Sequence, residues 1–261
     1  NQRTDMILED PIAPGVHELP CGDKYSIRWL PAPKGDRMNC VYIFNLIPDG
    51  DSVFDAVPSA MAATLHSFNV NVFEYQICGI DAYYTCWYAM IEEMDGYCRN
   101  SIYWISHGND AGLLMPMPGK EIRKPNMLWG DFASMLLQIP EQHRDKMLLC
   151  LSSCEGMNFE AAGFYNDVPL YEQLIGSYNK IKPQEAIVGF STIYYHHFFN
   201  NQPPVELMER ANCAIGKPLF KNQHGPLQAY VNKYLTSNGI SVSPFVTNYM
   251  KRAHALSNRA K

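Results

Sequence analysis

Met147-Leu148-Leu149-Cys150-Leu151-Ser152-Ser153-Cys154-Glu155-Gly156 is an apolar run that stops abruptly in two serines, a cysteine and a glycine. Apolar runs of this length, bounded by turn residues, read as buried strands of a parallel sheet. Open parallel sheets bind ligands just beyond the carboxyl ends of their strands, so Cys154 falls where chemistry is expected. Ser101-Ile102-Tyr103-Trp104-Ile105-Ser106-His107-Gly108 has the same form and ends in His-Gly. If the two strands are parallel neighbours, a thiol and an imidazole project from one edge of one sheet.

Outward from these strands, residues 39–108 alternate strand, helix, strand, helix, strand. Asn39 to Ile47 is a buried strand running into the loop Pro48-Asp49-Gly50-Asp51. Asp55 to Phe68 reads as a helix, with Asp55 as N-cap and Val57, Met61, Leu65 and Phe68 near a period of 3.6. Val70 to Ile77 is the next strand, and Asp81 to Met94 the next helix, closed by Gly96. This alternation implies right-handed crossovers and an α/β fold, a mostly parallel central sheet flanked by helices. Leu113 to Pro116 is expected in a surface hairpin, and a third helix runs to about Gln138. Asn158 to Phe164 reads as helix, Ala186 to Tyr195 as another strand, and Val205 to Ala214 and Pro226 to Leu235 as amphipathic helices. Residues 1–38 read as an N-terminal arm with an edge strand at Lys24 to Leu30, and 39–261 as one domain. The start at Asn1 rather than Met reads as a fragment or processed chain, with upstream domains missing.

Hydrophobic residues are 47% and charged residues 18% of the 261, enough apolar material for a large core. The net charge is −5 and the basic residues are scattered, which argues against direct nucleic-acid binding. No run approaches the ~20 apolar residues of a membrane span, and no membrane partner is expected. The eight cysteines show neither a CxxC pair nor finger-like spacing, so no structural metal is expected. Cys40, Cys86 and Cys150 fall inside predicted elements and read as small buried hydrophobes. The chain reads as a reduced, cytoplasmic protein.

The chemistry these residues allow is nucleophilic acyl transfer. A cysteine hydrolase needs a thiolate, a base within reach and donors for the developing oxyanion. Cys154 is the candidate nucleophile and His107 its base. The N–H groups of Gly108 and of Cys154 itself are the natural oxyanion donors, because Gly108 has no side chain to hold a substrate oxygen away. Gly156 is expected to let the chain turn sharply behind the nucleophile. No cofactor is required. His196 and His197 are adjacent, so on a strand they point to opposite faces and do not share an ion.

Ser106-His107-Gly108 after one apolar strand, and Leu151-Ser152-Ser153-Cys154-Glu155-Gly156 after another, resemble the caspase-like (clan CD) cysteine peptidases. That clan includes caspases, metacaspases, legumain and separase. The separation of 154 − 107 = 47 residues is near the ~50 between histidine and cysteine in caspases. With Gly112-Leu113-Leu114 following the histidine, the motifs are most similar to the bacterial CHAT group, whose members are often fused to repeat or sensor domains. The resemblance implies a caspase-like three-layer sandwich and a cysteine endopeptidase acting on protein or peptide substrates. It also implies an activating partner or upstream regulatory domain.

The clan pattern departs at Ser152-Ser153, where caspases have Gln-Ala and metacaspases and separases an acidic residue. In this clan the residue two before the nucleophile helps floor the S1 pocket, and Ser152 supplies no charge there. Asp49, Asp51 and Asp110 suit a basic residue before the scissile bond, whereas Tyr194 and Tyr195 suit an apolar one, with His196 bordering the cleft. The alternatives to an endopeptidase are a catalytically silent caspase-like interaction or scaffold module, and a different cysteine acyl-transfer enzyme on an unrelated sheet.

Overall fold

The computed structural model describes residues 13–35, 38–48, 54–120, 123–163, 166–200, 202–244 and 246. In chain order, strands β1 (Gly15–Glu18), β2 (Lys24–Leu30) and β3 (Asn39–Asn45) precede helix α1 (Ala56–Ser67), strand β4 (Asn71–Cys78) and helix α2 (Ile80–Met94). Strands β5 (Arg99–Ile105), β6 (His107–Gly108), β7 (Gly112–Leu114) and β8 (Met127–Leu128) follow, then helices α3 (Trp129–Leu136) and α4 (Glu141–Arg144). Strand β9 (Leu148–Ser152) leads through a 3-10 turn at Gly156–Phe159 into α5 (Glu160–Gly163). Strand β10 (Gln173–Gly176), helices α6 (Pro183–Phe199) and α7 (Pro204–Ile215), strand β11 (Lys221–His224) and helix α8 (Gly225–Ser237) complete the order.

The main sheet has eight strands in the order β1-β2-β4-β3-β5-β9-β10-β11. Its centre, β4 through β10, is parallel, and antiparallel strands close both sides. Side chains alternate between the faces as the pleat requires. Tyr42 and Phe44 enter one core with Tyr83 and Trp87 of α2 and Phe132 and Leu136 of α3. Val41 and Ile43 enter the other with Val57, Met61 and Leu65 of α1 and Phe190 and Ile193 of α6. The result is the helix-flanked, mostly parallel three-layer sandwich expected from the sequence.

Four readings need correction. Lys24–Leu30 is not an edge strand, because β1 pairs along its outer side from Gly15 to Glu18. Asp55 does not cap α1: its backbone is already helical and its side chain makes no capping bond. β10 and β11 were not foreseen; they carry the sheet beyond β9. Finally, Ala186 to Tyr195 lies within α6 and not in a strand. Pro183 at the first turn and the Glu185 carboxylate, which accepts from the Lys182 N–H at 3.0 Å, start that helix.

Gly189 shows why α6 sits where it does. A β-carbon there would lie 2.1 Å from the Phe220 ring, which is fully buried and packs edge-on against Phe190. Gly189→Val is therefore expected to destabilise the fold by roughly 2–3 kcal/mol through overpacking. A urea titration checks this, and an unchanged midpoint would mean that Phe220 repacks freely.

Candidate active site

β5 and β9 are immediate parallel neighbours, and their last registered pair is Ile105 with Ser152. His107 and Cys154 each lie two residues beyond that pair, at the same edge of the sheet. The condition set by the sequence, that the two strands be parallel neighbours, is met.

The two residues belong to different substructures. After β5 the chain passes through Ser106, whose hydroxyl accepts from the Trp104 indole N–H at 3.1 Å. It then enters a three-stranded sheet of β6, β7 and β8, where His107 pairs with Leu114 and Gly108 with Leu113. Gly112 makes this small sheet possible, since a β-carbon there would lie 2.2 Å from the Met127 carbonyl oxygen. The Asn126 amide clamps the Met115 backbone with bonds of 2.7 and 3.0 Å. The Trp129 indole donates to the Asp110 carbonyl at 3.0 Å, tying the β6–β7 turn to α3.

Cys154 sits in the turn that follows β9 and is partly exposed. Gly156 N–H donates to the Ser153 carbonyl at 3.2 Å, and Met157 N–H to the Ser177 carbonyl at 3.0 Å. The sharp conformation falls on Glu155, with φ of 58°, and not on Gly156. Gly156 is required for close approach instead: a β-carbon would lie 2.7 Å from Ser153 Oγ.

The two substructures meet at Gly108. A β-carbon on Gly108 would lie 3.1 Å from the Cys154 carbonyl oxygen and 3.3 Å from that of Gly112. Glycine lets the His107–Gly108 backbone lie directly against the Cys154 turn. Among the described residues no backbone carbonyl accepts from the Cys154 N–H. The Phe54 ring meets His107 edge-on at 5.6 Å. Cys150, in contrast, is fully buried inside β9, and burial pushes its thiol up to about 12.

A cavity of about 590 Å³ opens beside His107. It runs over Ile47 and Pro48 after β3, the end of β4 and the start of β2, beneath the Leu114–Met117 segment. Sequence reasoning did not anticipate it, because β2 brings Tyr25 to the site from a segment read as the sheet's rim.

The substrate-pocket candidates fare unevenly. Asp49 and Asp51 lie outside the described residues. Asp110 is exposed at the β6–β7 turn and does not line the cavity. Ser152 is buried within β9 at 3% exposure, on the face of Cys150. Tyr194, Tyr195 and His196 are not brought to the site. The Tyr194 hydroxyl is 3.0 Å from Ser101 Oγ at the start of β5, six residues or roughly 20 Å of strand from His107. Tyr195 meets Phe68 at the end of α1, and His196 Nδ1 bonds Asn200. Among the described residues, Cys21, Asp23 and Asp81 are close enough to share an ion. Asp23 accepts from the Asp81 N–H at 2.8 Å, at the first turn of α2.

His197 lies at that far edge as well. Burial, and then the Arg99 guanidinium, push its imidazole down to about 4. An unfolded chain titrates there near 6.5. The folded value is the lower, so this contribution to stability is full above 6.5 and is lost as pH falls toward 4, about 2 kcal/mol by pH 5. Denaturant titrations are expected to show that loss in the wild type and not in His197→Gln. Equal losses in both proteins would place the acid sensitivity elsewhere.

No protein-family model matches the chain, and no curated protein sequence matches it. Among solved structures, the chain is similar to a secreted C11 cysteine protease from Bacteroides thetaiotaomicron, solved with an irreversible peptide inhibitor. Identity is 11% and the TM-score 0.47, over 67% of this chain and 58% of the protease. It is also similar to Est1E from Butyrivibrio proteoclasticus, at 12% identity and a TM-score of 0.32, over 65% of this chain and 60% of that one. The ferulic acid complex of Est1E gives 10% identity and a TM-score of 0.31, over 73% and 72% of the two chains. This chain thus spans less than two thirds of the protease. No described helix is long and apolar enough to cross a membrane.

Proposed function

We propose that the chain is a hydrolase of the caspase-like kind, a cysteine endopeptidase in which Cys154 and His107 act as a dyad. The observation that carries this reading is the abutment of Gly108 against the Cys154 turn, with a β-carbon position 3.1 Å from the Cys154 carbonyl. In this reading the Cys154 thiolate attacks the scissile carbonyl carbon, and the N–H groups of Cys154 and Gly108 hold the oxyanion. His107 gives its proton to the leaving nitrogen as the C–N bond breaks, leaving a thioester. Water then loses a proton to His107, attacks the thioester and releases the acid, and the thiolate returns. Activation by a partner or a fused domain belongs to the same proposal, as does a reducing, cytoplasmic setting, which the eight free thiols suit.

The test is covalent labelling by peptide acyloxymethyl ketones, read by intact mass on wild type, His107→Ala and Cys154→Ala. A single adduct on Cys154, formed at least ~100-fold more slowly in His107→Ala, is expected. Equal rates in wild type and His107→Ala would sink the dyad. No adduct at all would favour an interaction module that keeps the fold without the chemistry.

A further inference from the structure

We propose that the cavity beside His107 is a specificity pocket for the leaving-group half of the substrate, and that it takes a large apolar side chain. This rests on the cysteine-hydrolase reading, and the direction of the substrate follows from it. The acyl carbon bonds to Cys154 at the end of β9, and the leaving nitrogen must reach the His107 proton beside β5. Along the sheet edge the order continues from β9 and β5 to β3, β4 and β2. The peptide beyond the leaving nitrogen therefore runs away from β9, and the cavity begins at His107 and lies over the next three strands.

Distance and chemistry fit that occupant. Strands are spaced ~4.8 Å apart and an extended chain advances ~3.3 Å per residue, so β4 is roughly two to three residues from His107. The walls are Tyr25, Ile47, Ile77, Leu114, Met115 and Met117, and about 590 Å³ accommodates a phenylalanine or leucine side chain. Met115 in the wall and the partly exposed Met117 adapt to differing shapes. The charged groups lining the cavity are Lys24 and Lys120, with no carboxylate among the described lining residues. Lys24 is 3.2 Å from Glu18 at the rim. A lysine or arginine of the substrate would meet mostly apolar walls here and no carboxylate among the described lining residues, so an apolar side chain is preferred at this position.

The experiment measures binding of leaving-side peptides to full-length Cys154→Ala by calorimetry. Tripeptide amides carry phenylalanine, glycine or lysine at the first, second or third position. At one position phenylalanine is expected to bind roughly 10- to 100-fold tighter than glycine or lysine, the range for burying one large apolar side chain. Adding Met117→Trp, which fills the mouth, is expected to erase that preference. Equal affinities, or a preference that survives Met117→Trp, overturn the pocket. Failure of the underlying reading shows separately, through acyloxymethyl ketone labelling of wild-type Cys154. The carboxylate that this probe expels is absent from the adduct, so the adduct reports the thiol whatever the cavity accepts. A phenylalanine preference with no adduct would overturn the leaving-group role and reassign the cavity to peptide binding alone.

Discussion

Cys154→Ala is expected to reduce kcat/KM by at least ~10⁴-fold while leaving the melting temperature within a few degrees of wild type. The size follows from chemistry: without the thiolate no acyl-enzyme forms, and what remains is the contribution of binding and oxyanion donors. The small effect on stability follows from position. Cys154 is partly exposed in a turn held by backbone bonds of its neighbours, so its sulfur fills no core. Cys150→Ala is the matched control, four residues earlier on β9. It removes a fully buried thiol from between Tyr103 and Tyr194, and is expected to lower stability by about 1–2 kcal/mol while sparing turnover. Peptide hydrolysis and thermal melts on both variants separate the two roles. Comparable activity losses would show that Cys154 matters only through the fold.

Gly108→Val is the second large effect. The first carbon alone would stand 3.1 Å from the Cys154 carbonyl oxygen and 3.3 Å from that of Gly112, and valine adds two γ-methyl groups to it. Both neighbours are backbone atoms, so relief comes only by moving β6 away from the Cys154 turn. A displacement near 1 Å between reacting groups costs about 100-fold in rate, and kcat is expected to fall by that factor with KM little changed. The main sheet ends before this contact, so the urea midpoint should shift only slightly. Near-wild-type turnover would show that the Gly108 backbone does not border the reacting atoms.

The core of the fold was legible because its strands are buried on both faces and its helices cap them at regular intervals. Residues 39–108 carry little polar noise, and the order of elements there needs no revision. α6 was misread for a specific reason. Its buried positions, Ala186, Gly189, Phe190, Ile193 and Tyr194, do follow a helical period, but Val188, Tyr195 and Phe199 on the exposed side are apolar too. That second apolar set hid the period, and the β-branched and aromatic content then favoured a strand. β11 was unreadable for the opposite reason: Lys221-Asn222-Gln223-His224 is polar throughout, as befits a rim strand, and displays no face to find. The candidate dyad was visible because it lies at the ends of two well-marked strands. The cavity was not, since its walls come from six separated segments, and only the folded chain brings Tyr25 and Met115 near His107.

The parallel pairing of β5 with β9 has a temporal consequence. Ser101 pairs with Leu148, so a loop of 47 residues must close before the first bond between these strands forms. Loop closure is charged to the chain before any contact repays it, which makes such pairings late events. During synthesis His107 leaves the ribosome well ahead of Cys154, attached to a hairpin that forms from nearby residues. The thiol reaches it only when β9 docks. A nascent or partly unfolded chain thus holds both groups without their juxtaposition, and the candidate dyad is assembled only together with the finished sheet.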